Sequence, residues 1–145
     1  MKILVTGATG FLGRHVVARL GADHEVIAMP RREGMTIEGA ASVVVGDVLK
    51  PDTLAAAMDG VEVLVHSAGL VSHHPDDAEA CWKVHVQGTE NALDAARAAG
   101  IPRVVYLSTS GTIAVGTDET ERDEHAESPL MLIRTWSYYL SLIHI

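Results

Sequence analysis

The sequence predicts an α/β protein built on a doubly wound parallel sheet that is incomplete at its C-terminus. Three observations carry that expectation. Short β-rich runs alternate with helical stretches, the runs are apolar at consecutive positions, and a glycine-rich turn stands between the first run and the first helix. Strands this apolar are buried on both faces, as in a parallel sheet covered by helices. Alternating β and α elements then close by right-handed crossovers.

Lys2 to Thr6 (KILVT) reads as a buried strand and Gly7 to Gly10 as a tight turn. Phe11 to Leu20 follows as a helix, because Phe11, Leu12, Val16, Val17 and Leu20 fall on about one face. Glu25 to Met29 is a second strand, ended by Pro30, and Ser42 to Val45 a third, followed by Gly46 and Asp47. Pro51 suits the start of a helix running to Met58, where its missing N–H costs nothing. Val61 to His66 is the fourth strand. Asp76 to Ala99, rich in Ala and Glu, is mostly helical, with Gly100 as its stop. Arg103 to Leu107 is the fifth strand. Residues 111–128 read as loop, and Pro129 to Leu140 returns to a helical pattern.

The chain of 145 residues suits one domain with a real core. Its apolar residues, 48% of the total, come in short runs, none near the ~18 to 20 needed for a membrane helix. Met1 to Val5 runs straight into the glycine turn and lacks the form of a secretory signal. The single cysteine, Cys81, excludes an internal disulfide framework and fits a reducing compartment. A soluble cytoplasmic protein is therefore expected, with no membrane partner. The formal charge of −8 argues against nucleic acid, whose binders present a basic face.

The segment Thr6-Gly7-Ala8-Thr9-Gly10-Phe11-Leu12-Gly13 lies at a strand-to-helix junction, the context that gives a glycine loop chemical meaning. Gly7 permits the tight turn, Gly10 lets the backbone approach a pyrophosphate, and Gly13 lets the helix pack close to the strand. The helix N-terminus then offers N–H groups and a positive dipole end to phosphates. A plain turn needs one glycine, not three at this spacing.

TGATGFLG resembles the TGxxGxxG fingerprint of the extended short-chain dehydrogenase/reductase family. The resemblance runs to about Tyr139 and is supported by Gly46-Asp47-Val48, His66-Ser67-Ala68-Gly69 and Ser108-Thr109-Ser110, each following a strand. It implies a Rossmann-type doubly wound parallel sheet whose cofactor loop includes Thr9, Phe11 and Leu12. It also implies that Asp47 meets the adenine amino group, with Val48 against the ring, and that Ala68 and Gly69 lie along ribose and phosphates. Taken alone, Asp47 could equally be a helix cap before Pro51.

An acid about twenty residues past the glycines would hold the ribose 2′-hydroxyl of NAD, while arginine suits the 2′-phosphate of NADP. Strand two ends Ala28-Met29-Pro30-Arg31-Arg32-Glu33, so Arg31 or Arg32 favours NADP, and Glu33 keeps NAD as the alternative.

In the resembled family a Ser or Thr, a Tyr, and a Lys four residues after the Tyr act together. The Tyr exchanges a proton with the reacting oxygen, the hydroxyl steadies that oxygen, and the Lys lowers the Tyr from its ordinary ~10. Ser110 matches the hydroxyl, with Thr109 as alternative, and Tyr138 matches the tyrosine ahead of its neighbour Tyr139. The lysine position holds Leu142. The last residues, Leu140-Ser141-Leu142-Ile143-His144-Ile145, resemble the translation of a transposon-end adapter used in DNA library preparation. Residues 1–139 are accordingly read as the N-terminal part of an NAD(P)-binding domain and 140–145 as a non-native tail. As written, the chain is expected to lack reductase activity and to aggregate through an unprotected sheet edge.

His73 and His74 lack a Cys or acid at ligand spacing, so no metal site is expected. His85, in Val84-His85-Val86-Gln87-Gly88-Thr89, stands where the family often has Asn, which weakens transfer of a helix-bending or water-relay role. Cys81 reads as a small core residue. Ala114 replaces the tyrosine usual in nucleotide-sugar epimerases and dehydratases, so the resemblance leans to the dihydroflavonol reductase-like and hydroxysteroid dehydrogenase-like branch. That implies hydride transfer between a nicotinamide cofactor and a small ketone or alcohol substrate. Nucleotide-sugar epimerisation or dehydration and a non-catalytic NAD(P)-binding regulator are the alternatives. A full-length parent is expected to pair as a homodimer, as the family often does.

Overall fold

The computed structural model describes residues 1–72, 74–126, 130–134 and 136–145. Five strands, β1 (Lys2–Thr6), β2 (Glu25–Met29), β3 (Ser42–Val43), β4 (Val63–His66) and β5 (Arg103–Tyr106), form one sheet in the order β3-β2-β1-β4-β5. Every neighbouring pair is parallel, and Thr6 stands opposite Met29 on one side and His66 on the other. The strand order reverses at β1. The C-terminal ends of β1 and β4 therefore flank a topological switch point, where open α/β sheets bind ligands.

Alternation along the strands sorts the core into two layers. Leu4, Ile27, Met29 and Leu64 point to one face and pack with Leu54, Ala57 and Met58 of α2 (Pro51–Ala57) and Ala92 and Ala96 of α4 (Gly88–Ala98). Ile3, Val5, Val26, Ala28, Val63 and Val65 point to the other face and pack with Val17 of α1 (Phe11–Leu20). Each fully buried leucine contributes about 1.5–3 kcal/mol relative to exposure.

The strongly patterned elements lie where the sequence predicts them, and the differences have local causes. The third strand shrinks to Ser42–Val43, because both side chains are exposed and only two residue pairs join it to β2. Backbone bonds from Val44 N–H to Ala28 O and from Gly46 N–H to Pro30 O still lead the chain along β2. β4 starts at Val63 rather than Val61, whose N–H closes a turn on Met58 O. β5 is not buried on both faces: Arg103 and Val105 are exposed, so this edge strand departs from the pattern expected of all five.

The long helix expected from Asp76 to Ala99 divides into a 3₁₀ turn (Pro75–Asp77), α3 (Ala78–Trp82), a π-helical turn (Lys83–Gln87) and α4. The wider π turn puts consecutive residues, His85 and Val86, both in the interior. The last helical segment is likewise two pieces, α5 (Leu130–Ile133) and α6 (Ser137–His144); Pro129 and Thr135 lie outside the described residues. Between β5 and α5 a 3₁₀ turn spans Ser110–Thr112 and Arg122 pairs with Asp118 at 2.7 Å. Residues 140–144 continue α6, where Ser141 and Leu142 are buried. No helix among the described residues is long and apolar enough to cross a membrane.

Candidate functional site

The site grows from the junction of β1 with α1. Gly7 sits at φ +67°, and a Cβ there would lie 2.6 Å from the Ser67 carbonyl carbon and 2.7 Å from the Ala68 nitrogen. A Cβ on Gly13 would run into the Gly7 carbonyl, so only glycine lets helix and loop approach this closely. Gly10 donates its N–H to Gly7 O at 2.9 Å and then opens α1 with no side chain capping the helix. The first-turn amides of Phe11, Leu12 and Gly13 carry the positive end of a ten-residue helix.

A cleft of about 450 Å³ opens beside this loop, lined by Gly7, Thr9, Gly10, Arg31, Asp47, Val48, Ala68, Gly69 and Lys83. A second chamber of about 300 Å³ shares Gly7, Gly10, Ala68 and Gly69 and adds Phe11, Leu12, Gly13, His85, Tyr106, Ser108, Tyr138 and Leu142. The structure thus brings together the expected glycine-loop residues, Asp47, Val48, Ala68, Gly69 and Tyr138 along one continuous depression. Arg31 lines it; Arg32 and Glu33 are exposed and stand outside its lining.

Asp47 is not the helix cap. The α2 cap is Lys50, and Asp47 Oδ1 instead accepts the Leu49 N–H at 3.0 Å, closing a tight turn at the cleft wall. Val48 packs against Gly88, and its carbonyl accepts from Asn91 Nδ2 at 2.9 Å. This pins the wall to α4.

At the floor, His66 is fully buried between two hydroxyls, with Nδ1 2.8 Å from Thr6 Oγ1 and Nε2 3.0 Å from Thr89 Oγ1. Burial, reinforced by nearby His85, lowers its pKa from 6.5 to about 4. Thr6 Oγ1 also accepts the Ala68 N–H at 3.3 Å, and Ser67 Oγ donates to Thr6 O at 3.0 Å. His85 Nε2 accepts the Leu70 N–H at 3.0 Å, its Nδ1 lies 2.7 Å from Ser141 Oγ, and burial lowers its pKa too. The helix distortion centred on His85 is present with histidine in that position.

The tyrosine end is assembled differently. Tyr138 meets His85 edge-on at 5.5 Å, and burial, then Tyr139 and Cys81, raises its phenol above the ordinary range. Ser110 is exposed at the start of the 3₁₀ turn and does not line the cleft. Thr109 caps that turn, accepting the Gly111 N–H at 3.5 Å. Ser108 shares the chamber with Tyr138, whereas Tyr139 lies against Gly111. Cys81 is buried, with its thiol pushed up by burial. His74 is exposed and accepts the Asp76 N–H at 3.3 Å, and His73 lies outside the described residues. Among the described residues no cluster of three or more His, Cys, Asp or Glu could hold a metal.

The sequence motifs assign no role to the side chains of Thr6, His66, Thr89 and Tyr106. For Thr6, His66 and Tyr106 the signal is a polar group at the end of an otherwise apolar strand, visible in KILVT, VLVH and RVVY; Thr89, in α4, carries no such signal.

The model of the NAD dependent epimerase/dehydratase family matches residues 3–141. The chain belongs to that family. Relatives similar to this chain include a sterol demethylase protein B of Methylococcus capsulatus, 34% identical over 89% of this chain and 40% of that protein. An L-arabinose 1-dehydrogenase (NAD(P)(+)) of Haloferax volcanii is 40% identical over 75% of this chain and 41% of its own length. The chain spans about two fifths of the curated relatives it matches. Among solved structures, the protein gox2253 superposes with a TM-score of 0.82 at 31% identity, covering 98% of this chain and 44% of that one. A short-chain dehydrogenase/reductase superfamily protein of Agrobacterium tumefaciens, solved with bound NAD, gives 0.75 at 29% identity, over 99% of this chain and 42% of the other. The epimerase/dehydratase family fold is thus an extended short-chain dehydrogenase/reductase Rossmann sheet, and the chain carries its N-terminal portion.

Proposed function

We propose that this chain is the dinucleotide-binding part of an NADP-dependent oxidoreductase that moves hydride between a nicotinamide cofactor and a ketone or alcohol. The observation that carries the reading is the loop Gly7 to Gly13, whose Cβ-free cradle leads to an uncapped helix N-terminus at the β1/β4 switch point. The residues present fit a diphosphate: backbone amides at Gly10 to Gly13 bind it without counter-charge, and Ala68 and Gly69 allow close approach. Asp47 and Val48 suit the adenine. Arg31, which lines the cleft while Glu33 does not, suits a 2′-phosphate. The relatives' names include dehydrogenases, which supports oxidoreduction.

When bound, the cofactor supplies the hydride-transfer chemistry. This chain's own residues bind and orient it, and Tyr138, beside Ser108 in the inner chamber, is the proton donor we assign. Ser110 and Thr109 remain the hydroxyls implied by the family pattern, and neither lines the inner chamber. With Leu142 in the lysine's place and the Tyr138 phenol raised by burial, Tyr138 is a weaker proton donor, and the chain is expected to bind cofactor with little turnover of substrate. We assign residues 140–145 to adapter-derived sequence; a genomic reading with lysine at 142 supports the enzyme, and a genuine leucine supports a cofactor-binding regulator. The single cysteine, kept reduced, fits a cytoplasmic setting.

Fluorescence titration tests the reading. NADPH is expected to saturate the chain more tightly than NADH, and Gly10→Val to abolish both. Absence of binding by either nucleotide would overturn it.

A further inference from the structure

The outer cleft carries a charge pattern that the chain as a whole does not share. The protein has a formal charge of −8, yet the described residues lining this cleft include two cations, Arg31 and Lys83, against one acid, Asp47. Asp47 Oδ1 is already engaged by the Leu49 N–H. Lys83 opens the π turn, four residues after Glu79 of α3, and its Nζ lies 2.6 Å from Glu79 Oε1. Both side chains are exposed, 53% for Lys83 and 80% for Glu79, so water screens the pair and parting it costs little. Lys83 lines the outer cleft and not the inner chamber, whereas Glu79 lines neither. Val48, Leu70, Ala80 and Val84 accompany Lys83 in the lining, so an ion pair made inside the cleft is less screened than the one outside it.

We propose that Lys83 is a further phosphate-binding residue of the cofactor cleft, exchanging Glu79 for a phosphate oxygen at the adenosine end of the dinucleotide. The proposal rests on the reading of this cleft as a dinucleotide site, and it adds a second cation to Arg31. The flexible four-carbon stem lets the ammonium swing from the acid outside the cleft to an anion within it. Lys83 shares the outer cleft with Arg31, Asp47 and Val48 and is absent from the lining around Tyr138, which places its contact at the adenosine end. Two groups there offer the same chemistry, the diphosphate and the 2′-phosphate.

Paired titrations of the 145-residue chain with NADPH and NADH are the test. Lys83→Met keeps the stem and removes the charge; it is expected to weaken NADPH binding about fivefold, with Lys83→Arg restoring most of the loss. An equal loss for NADH assigns the contact to the diphosphate, and a loss confined to NADPH assigns it to the 2′-phosphate. Unchanged affinity for both nucleotides overturns the proposal. Glu79→Gln frees the ammonium and is expected to tighten NADPH binding about threefold, but to have no effect in a chain that also carries Lys83→Met. A gain that persists beside Lys83→Met comes from removing a negative charge at a distance and overturns the exchange. Both positions are exposed, so urea midpoints are expected to stay at the wild-type value. A wild-type chain that binds neither nucleotide refutes the dinucleotide reading, and the Lys83 assignment falls with it. A wild type that binds NADPH no better than Lys83→Met refutes the Lys83 assignment alone.

Discussion

At the glycine end of the cleft the ligand-facing groups are backbone amides, held by contacts no side chain could replace; at the tyrosine end they are side chains carried on short pieces of helix. Gly7 and Gly13 touch Ser67, Ala68 and each other through backbone, and β1, β2 and β4 below them are paired along their whole length. Tyr138 instead depends on α6, which packs on α3 and on the π turn, and on a loop after β5 that has one 3₁₀ turn among its described residues. The contrast teaches that binding and chemistry are separable here. The first half is specified by sheet topology, and the second by whatever neighbours the α6 side chains meet.

The largest expected effect comes from attacking the backbone end. Gly13→Val would press its side chain into the Gly7 carbonyl and should cost about 3 kcal/mol or more. Urea unfolding would register it together with loss of nucleotide binding, while Gly34→Asn, at an exposed glycine with open space around it, should leave binding intact. Acid should act through the floor of the site. His66 has a folded pKa near 4 against 6.5 unfolded, so the unfolded chain takes up the proton first. Its contribution is full above pH 6.5 and is lost as pH falls toward 4, about 3 kcal/mol in all. His85 pulls in the same direction. Unfolding free energies at pH 7.5 and 4.5 would check this, and a flat profile would break the account of the buried ring.

Smaller effects sharpen the contrast. Arg31→Ala should lower NADPH affinity about tenfold and leave NADH affinity unchanged, whereas Arg32→Ala should leave both unchanged, as paired titrations would reveal. Leu142→Lys would put a cation near Tyr138 and should lower the phenol's titration by about a unit, read from phenolate absorbance. An unmoved titration would mean that position 142 does not speak to the tyrosine.

Much of this was legible from residues alone, for physical reasons. Consecutive apolar residues in KILVT and EVIAM and three glycines at fixed spacing are local signals, and both strands and the loop lie where those signals put them. Asp47 was readable as a cleft residue, but its turn bond to Leu49 depends on backbone geometry that composition does not reveal. The pairing of Thr6 with His66 and Thr89 joins residues 60 and 23 positions apart and exists only once the parallel register is set. The breaks in the long helix were hidden because Ala and Glu favour helix throughout, and the π turn reflects where His85 and Val86 are buried.

The most direct test of the central claim is amide mapping of the isotope-labelled chain during NADPH titration. The account predicts the largest shifts at Gly10 to Gly13, Ala68 and Gly69. Shifts concentrated instead on the apolar groove of Ile3, Val63, Val65 and Val105, across the sheet from α4, with the glycine loop unmoved, would contradict it.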